Sequence, residues 1–368
     1  MNDDYDVRFM RRALALAAEG IGRTSPNPPV GCVLVSGETV VAEGWHRHAG
    51  NDHAEVDALR NCPSGVPDLT AYVTLEPCNH TGRTGPCTEA LIGAGVRRVV
   101  IGCMDPNPSV NGGGVERLQQ AGLEVQVSVL ESESLALIRP FAHWITTGRP
   151  LVTLKIATTL DGRIATTTGH SQWVTSEEAR HCSHRLRDQM DAVLVGAGTL
   201  RADDPQLTAR LPNEEGVDPI RVVVSASLNL PDEARVFSVQ SKAPTWVVTG
   251  LETSRVDAMK KRGVDVLTVG GTDEAVDLKA AMNALGDRGV TALLVEGGQQ
   301  MGTALLQAQL VDRVCCFVAP KIVGADGLAW AGGLGIRTMD QALTLSNVSI
   351  RPIGNDVCIE GDCVYGNC

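Results

Sequence analysis

The sequence predicts an α/β protein made of two successive domains, and three observations lead there. Short apolar, β-branched runs alternate with amphipathic stretches along the whole chain. The length of 368 residues fits two domains at about 100–200 residues each. A Gly/Pro break, Thr147-Gly148-Arg149-Pro150, precedes a new apolar run, and all six lysines lie beyond it. Domains are therefore expected at 1–147 and 148–368, with the linker near 146–151. The halves carry net charges of −6 and −5, so the boundary is not one of charge.

The first half opens with Val7, Met10, Leu14 and Ala17 at helical spacing, an amphipathic helix. Residues 31–37 and 40–46 read as a hairpin through Ser36-Gly37-Glu38. A helix is expected over 53–61, a strand over 71–76, a helix over 87–95 closed by Gly, and a strand over 98–103. A helix over 115–122 and a strand over 124–129 follow. Strands alternating with short helices argue for a three-layer domain.

The second half repeats that style without repeating the sequence. Strands are expected at 151–157, 192–197, 220–225, 245–250, 264–269, 291–297 and 313–320. Helices fit near 176–188, 255–262, 275–286 and 299–308, and 209–219 reads as a surface loop. The last strand, RVCCFVAP, suits either core or interface. The tail GDCVYGNC is expected to fray without function, although Cys358, Cys363 and Cys368 lie five apart.

Composition removes several function classes. A net charge of −11 with no basic run gives little for a polynucleotide to bind. Three acids among the first six residues oppose an export signal, and no run of 18 apolar residues occurs, so a soluble cytoplasmic chain is expected. Eleven scattered cysteines do not form a disulfide framework and read as mostly free thiols.

The strongest chemical signal joins His53-Ala54-Glu55 to Pro77-Cys78 and Cys87. One His and two Cys leave a zinc ion a fourth position, as in catalytic sites. Zinc lowers the pKa of its water to roughly 7. Glu55, two residues past His53, can then shuttle a proton to a leaving amine. Zinc nucleobase deaminases pair H-x-E with P-C-x-x-C, whereas eight residues separate Cys78 from Cys87 here. A structural zinc, or two buried free thiols beside a surface His-x-Glu, are the alternatives at this point. A deaminase acting on tRNA or a free nucleoside, and a zinc-stabilised binding module, are rival functions. The acidic surface opposes tRNA, and the presence of Glu55 opposes the binding module.

The second half lacks G-x-G-x-x-G after its first strand, so a dinucleotide-binding Rossmann fold is unsupported. Val295-Glu296-Gly297-Gly298 instead joins a strand to a helix whose N-terminus can meet phosphate; a plain turn is the alternative.

Longer stretches carry a resemblance. Asn27-Pro28-Pro29-Val30-Gly31, His46 through Ala49-Gly50 to His53-Ala54-Glu55, TLEPCNHTGRTGPC (74–87) and Asp105-Pro106-Asn107-Pro108 fall in one order. LKIATTLDGRIA (154–165), GHSQWVT (169–175), HRLRDQMDAVLVGAGTLRADDPQLTAR (184–210) and VEGG (295–298) continue it. Together they resemble the bifunctional riboflavin-biosynthesis deaminase/reductase family over about residues 5–360. The resemblance implies a cytidine-deaminase-like zinc domain followed by a dihydrofolate-reductase-like domain that uses NADPH. It implies that His53, Cys78 and Cys87 hold zinc, with Glu55 catalytic. Asn27, His46, His80, Asp105 and Asn107 would line the pyrimidine and ribose-phosphate pocket, and His48 has no matching role. Ala157, Trp173, Thr199, Asp203, Ser225 and Gly298 would contact NADPH. Ser171, Arg187, Leu207, Arg210 and Glu296 would contact the reductase substrate, and Lys155 and Asp161 would shape the hydride site. A small pyrimidine ribosyl phosphate as substrate and a homo-oligomeric state are further implications. On the residues alone, Asp105-Pro-Asn-Pro and Asp161 also fit plain turns, Lys155 a snorkelling surface lysine, and Trp173 a core position.

Overall fold

The computed structural model describes residues 3–80, 85–108, 110, 113–212 and 216–366. Residues 81–84 between Cys78 and Cys87, 213–215 of the surface loop, and Cys368 lie outside them. The chain divides into two compact units, Met1–Gly148 and Arg149–Cys368.

The first unit runs α1 (Asp3–Ala18), β1 (Gly31–Ser36), β2 (Thr39–Trp45), α2 (Ala54–Asn61), β3 (Leu69–Leu75) and α3 (Cys87–Gly93). It continues through β4 (Arg98–Cys103), α4 (Gly113–Gln120), β5 (Glu124–Gln126), α5 (Glu131–Leu137) and α6 (Arg139–Thr147). The sheet order is β2-β1-β3-β4-β5, with β1 antiparallel to both neighbours and β3, β4 and β5 parallel. Alternation along β1 divides the core. Cys32 and Leu34 pack with Ala54, Ala58, Leu91 and Leu118 of α2, α3 and α4. Val33 and Val35 pack with Phe9, Met10, Ala13 and Leu16 of α1. The domain therefore has the three layers expected. The two-residue hairpin turn and the helix over 54–61 also match, while the 124–129 strand is shorter and α5 and α6 were not foreseen.

The second unit runs β6 (Leu151–Thr159), β7 (Arg163–Ala165), α7 (Glu177–Asp188), β8 (Ala192–Gly196), α8 (Ala197–Asp203), β9 (Ile220–Val224) and β10 (Thr245–Thr249). Then come α9 (Ser254–Lys261), β11 (Asp265–Thr268), α10 (Leu278–Gly286), β12 (Ala292–Val295), α11 (Gln299–Gln307) and β13 (Arg313–Ala319). β14 (Leu328–Ala329), β15 (Thr344–Ile353) and β16 (Asp356–Val364) complete it. Nine strands form one sheet in the order β11-β10-β9-β8-β12-β6-β13-β16-β15. The first seven run parallel, and β16 and β15 are antiparallel. Leu305 and Leu306 of α11 and Met282 and Leu285 of α10 cover one face. Leu200 of α8 and Val256 and Met259 of α9 cover the other.

One expectation fails here, and one open alternative is decided. The tail does not fray through its whole length: residues 361–364 belong to β16, which pairs with β13 on one side and β15 on the other. The Tyr365 hydroxyl then donates to the Val311 carbonyl at 2.8 Å, anchoring the chain just past the strand. β13 is an inner strand between β6 and β16, so RVCCFVAP is core rather than interface. β15 escaped notice because its face is mostly exposed and its residues mix polar with apolar. Among the described residues, no helix is long and apolar enough to cross a membrane.

Candidate active sites

In the first unit, packing brings the chemistry to the sheet edge. Gly44 lets α2 lie against β2, since a Cβ there would stand 2.3 Å from the Ala58 nitrogen. That contact sets the start of α2, where His53 is the N-cap and Glu55 occupies the first turn. β3 delivers Cys78 just past its end, and Cys87 opens α3. The three donor atoms, His53 Nδ1 and the two Sγ atoms, all lie within 4.8 Å of one another. His53 Nδ1 stands 3.5 Å from Cys78 Sγ and 3.3 Å from Cys87 Sγ. The Cys87 backbone N–H donates to Cys78 Sγ at 3.4 Å. The Cys87 thiol donating to Cys78 holds the latter well below the usual thiol range, against burial and with help from His53. A thiolate, a second thiol and an imidazole on one point are a donor set that fits zinc.

Glu55 is buried beside this cluster, its carboxyl close to the Cys87 thiol. Burial first, and the Cys78 sulfur second, push its carboxyl up to about 7. His46 Nδ1 lies 2.9 Å from the Asp52 carbonyl and so carries the proton. Its Nε2 then accepts from Asn27 at 3.1 Å. Burial lowers its pKa, and its ring meets that of His53 edge-on at 5.4 Å. Asp105 is buried and accepts from the Asn107 N–H at 2.8 Å, with His80 exposed but close enough to act on its charge. His48 is exposed, as expected.

Sequence reasoning missed Glu76. Its buried carboxylate accepts from the Asp105 N–H at 3.3 Å and from the Gly114 and Val115 N–H groups at 2.9 and 3.1 Å. Gly114 also passes so close to the Pro77 carbonyl that a Cβ would stand 2.1 Å from it. Glu76 thus ties the Asp105 loop and the α4 start to the Cys78 loop. The Thr-Leu-Glu-Pro-Cys run at a strand end was the available signal.

In the second unit the carboxyl ends of adjacent parallel strands line up, where open α/β sheets bind ligands. Ala157 lies near the end of β6, Ser225 follows β9, Thr199 opens α8 after β8, and Glu296 and Gly298 follow β12. The Gly298 N–H donates to Thr199 Oγ1 at 2.9 Å, and Gly298 caps α11 with backbone alone. Burial raises the Asp203 carboxyl, and the nearby Ser171 side chain works against that rise. Backbone-rich turns at these strand ends fit a pyrophosphate-bearing cofactor.

Arg187 of α7 binds Glu296 through two hydrogen bonds of 2.9 and 2.7 Å, both side chains largely buried. Burial would raise Glu296, but Arg187, Lys155 and His184 outweigh it and hold the carboxyl at about 2. His184, one turn before Arg187, was not foreseen. Burial, then Arg187 and Arg210, push it down to about 4, so it is neutral at pH 7. Arg210 donates to Thr208 Oγ1 at 2.8 Å. Arg187 and Arg210 standing together make a place for an anionic group.

Three of the carried-over positions have distinct surroundings. Leu207 is 1% exposed within the core, so a substrate contact there would fall to its left-handed backbone. Trp173 is not core but 61% exposed, with Arg180 stacked 4.5 Å from its ring. The Asp161 carboxylate is engaged by Thr159 and by the Val323 and Gly324 N–H groups, which hold it at about 2. It has the contacts of a turn residue.

A zinc-type pyrimidine-deaminase domain joined to an α/β reductase domain is the class this fold and these sites define. The cytidine and deoxycytidylate deaminase zinc-binding region matches residues 3–103, and the RibD C-terminal domain matches residues 150–359. The riboflavin biosynthesis protein RibD of Aquifex aeolicus (strain VF5) is 43% identical over 357 residues, spanning 97% of this chain and 98% of that one. That of Escherichia coli (strain K12) is 40% identical over 370 aligned positions, 98% and 99% of the two chains. The Acinetobacter baumannii RibD structure superposes with a TM-score of 0.90 at 34% identity, covering 99% of this chain and all of that one. The Thermotoga maritima diaminohydroxyphosphoribosylaminopyrimidine deaminase/5-amino-6-(5-phosphoribosylamino)uracil reductase gives 0.85, with the same identity and coverage. The chain belongs to the RibD family, the bifunctional deaminase/reductases of riboflavin biosynthesis.

Proposed function

We propose that residues 1–147 hydrolyse the 2-amino group of 2,5-diamino-6-ribosylamino-4(3H)-pyrimidinone 5′-phosphate and that residues 148–368 reduce the ribosyl chain to ribityl with NADPH. The observation that carries the first step is the convergence of His53, Cys78 and Cys87 with the buried Glu55 carboxylate against Cys87. His53, Cys78 and Cys87 would hold zinc, which when bound would lower the pKa of its water to roughly 7. Glu55 takes a proton from the attacking water and gives it to the departing nitrogen, which leaves as ammonia. Asn27 and His46 orient the pyrimidine, while Asp105, Asn107 and His80 face the ribose-phosphate side.

In the second unit Thr199, Asp203, Ser225 and Gly298, with Ala157 and the exposed Trp173, would hold NADPH, which supplies the hydride. Arg187, Arg210, Ser171 and Glu296 would fix the substrate, the arginines matching its phosphate. Lys155, whose charge acts on Glu296, would stand beside the acceptor carbon. The protein works in the cytoplasm on a small molecule. Exposed Val348 and Ile350 on edge strand β15 support a homo-oligomer, which a monomer mass by light scattering would refute.

One coupled assay with the diamino substrate tests both steps. Ammonia and NADPH oxidation should appear one to one. No ammonia would sink the deaminase assignment. Ammonia with no NADPH loss, even when the deaminated compound is supplied, would sink the reductase assignment.

A further inference from the structure

Among the described residues, two groups of His, Cys, Asp or Glu side chains converge closely enough to share a cation, and only one belongs to the deaminase centre. The other lies on the nine-stranded sheet. β13 and β16 pair so that Cys315 faces Glu360 and Phe317 faces Cys358. Residues two apart on a strand share a face, so Cys358 and Glu360 stand side by side with Cys315 across from them. Arg351 of β15 is paired with Cys358. Cys315 Sγ lies 3.8 Å from Cys358 Sγ, and its thiol donates to Glu360 Oε1 at 3.4 Å. Arg351 donates to the same oxygen at 3.2 Å. Cys315 is 2% exposed and Cys358 fully buried, with Ala179 and Cys182 of α7 and Phe317 packed around them.

We infer that Cys315, Cys358 and Glu360 form a second site for a thiophilic divalent cation such as zinc, separate from the deaminase centre. The spacing carries the inference. Two thiolates each about 2.3 Å from one tetrahedral zinc stand about 3.8 Å apart, and a thiolate and a carboxylate oxygen about 3.5 Å apart. The observed distances are 3.8 and 3.4 Å. In the deaminase centre the sulfur-to-imidazole distances are 3.5 and 3.3 Å, so both clusters are drawn in to the same degree.

Charge agrees with spacing. Two thiolates and one carboxylate around a divalent cation sum to −1, and the Arg351 guanidinium brings the buried group to neutrality. The bound ion would tie β13 to β16 and leave a fourth position to water. The five-residue spacing of Cys358, Cys363 and Cys368 plays no part, because the partner of Cys358 is on another strand.

The full-length protein, stripped of metal by a chelator under reducing conditions, is titrated with zinc and separately with cadmium. Wild type should take up two tight equivalents of zinc. Cys78→Ser/Cys87→Ser should retain one, and its cadmium form should show a thiolate-to-cadmium charge-transfer band of two-thiolate intensity. Cys315→Ser/Cys358→Ser should also retain one. Because that variant removes buried side chains and can misfold, the decision rests on wild type and on Cys78→Ser/Cys87→Ser. A single equivalent in wild type overturns the proposal. So does a natively folded Cys78→Ser/Cys87→Ser protein, checked by circular dichroism, that binds no zinc and shows no cadmium band. Neither outcome bears on the coupled assay, so the two readings fail separately.

Discussion

The two halves assemble their centres in opposite ways. The residues proposed for the deaminase centre come from short stretches: His53 and Glu55 are two residues apart, Cys78 and Cys87 nine. Each pair is set by one local event, the start of α2 or the link from β3 to α3. The proposed reductase centre is gathered from the ends of four neighbouring parallel strands and from α7, and its central ion pair joins residues 109 apart in sequence. A local motif can lose one side chain with little cost to the fold. A centre built on long-range pairing cannot, because the same contacts hold the unit together.

The largest expected effect tests the first half of that contrast. Glu55→Gln removes a proton carrier and nothing that spans the domain, so ammonia release should fall by roughly 10²–10⁴-fold. Zinc content and the rate of NADPH oxidation on deaminated substrate should stay at wild-type levels. Ammonia release at the normal rate would show that the proton moves through another group.

The second half of the contrast predicts a stability effect where the first does not. Arg187→Ala leaves the Glu296 carboxylate buried without its main partner, and removing one member of a buried pair costs about 3–5 kcal/mol. Denaturant unfolding of the second unit should shift by that amount, with loss of substrate affinity. The pH dependence follows from the same groups. Glu296, at about 2 in the folded protein, lies below its unfolded value, so its contribution is complete above roughly pH 4.3 and is lost as pH falls toward 2. His184, at about 4, is also below its unfolded value. Its unfolded form takes a proton first, so stability declines from about pH 6.5 down to 4. Glu296→Gln should remove the lower of these two declines and leave the upper one. An unchanged profile would mean that the pair does not hold the unit together.

What could be read from the chain follows the same division. The strand and helix alternation, the hairpin at Gly37, the Gly148 boundary region and the H-x-E with its two cysteines are local signals, and each was legible. Long-range pairing leaves no local mark. His184 sits in a polar helix, and nothing nearby in sequence announces Arg210 beside it. β15 lacks the buried alternation that marks a strand, and β16 is recognisable only once β13 is placed next to it. Asp6 is a further case. In the sequence it is one of three early acids opposing an export signal, whereas in the fold it is buried and takes two 2.8 Å hydrogen bonds from Arg98 and one of 2.9 Å from Tyr72. Leu207 came with the resemblance alone, and no local pattern marked its side chain as one that belongs to the core.

Glu76 gives the smallest effect and the finest test, because it is the place where the deaminase half behaves like the reductase half. It is local to Cys78 in sequence, yet it acts at long range on Asp105 and on Gly114 and Val115. Hydrogen bonds to a charged group contribute about 1.5–3 kcal/mol each, and water replaces part of that when the carboxylate is removed. Glu76→Ala should therefore loosen the Asp105-Pro106-Asn107 loop and raise the deaminase KM by about tenfold, with kcat changed by less than about threefold. Zinc content should not change, since none of the three N–H donors belongs to His53, Cys78 or Cys87. Glu76→Gln keeps one acceptor oxygen and should recover part of the KM. If instead kcat and zinc content fell together with KM intact, Glu76 would be holding the zinc ligands themselves in place, and the proposed deaminase centre would depend on long-range pairing as the proposed reductase centre does.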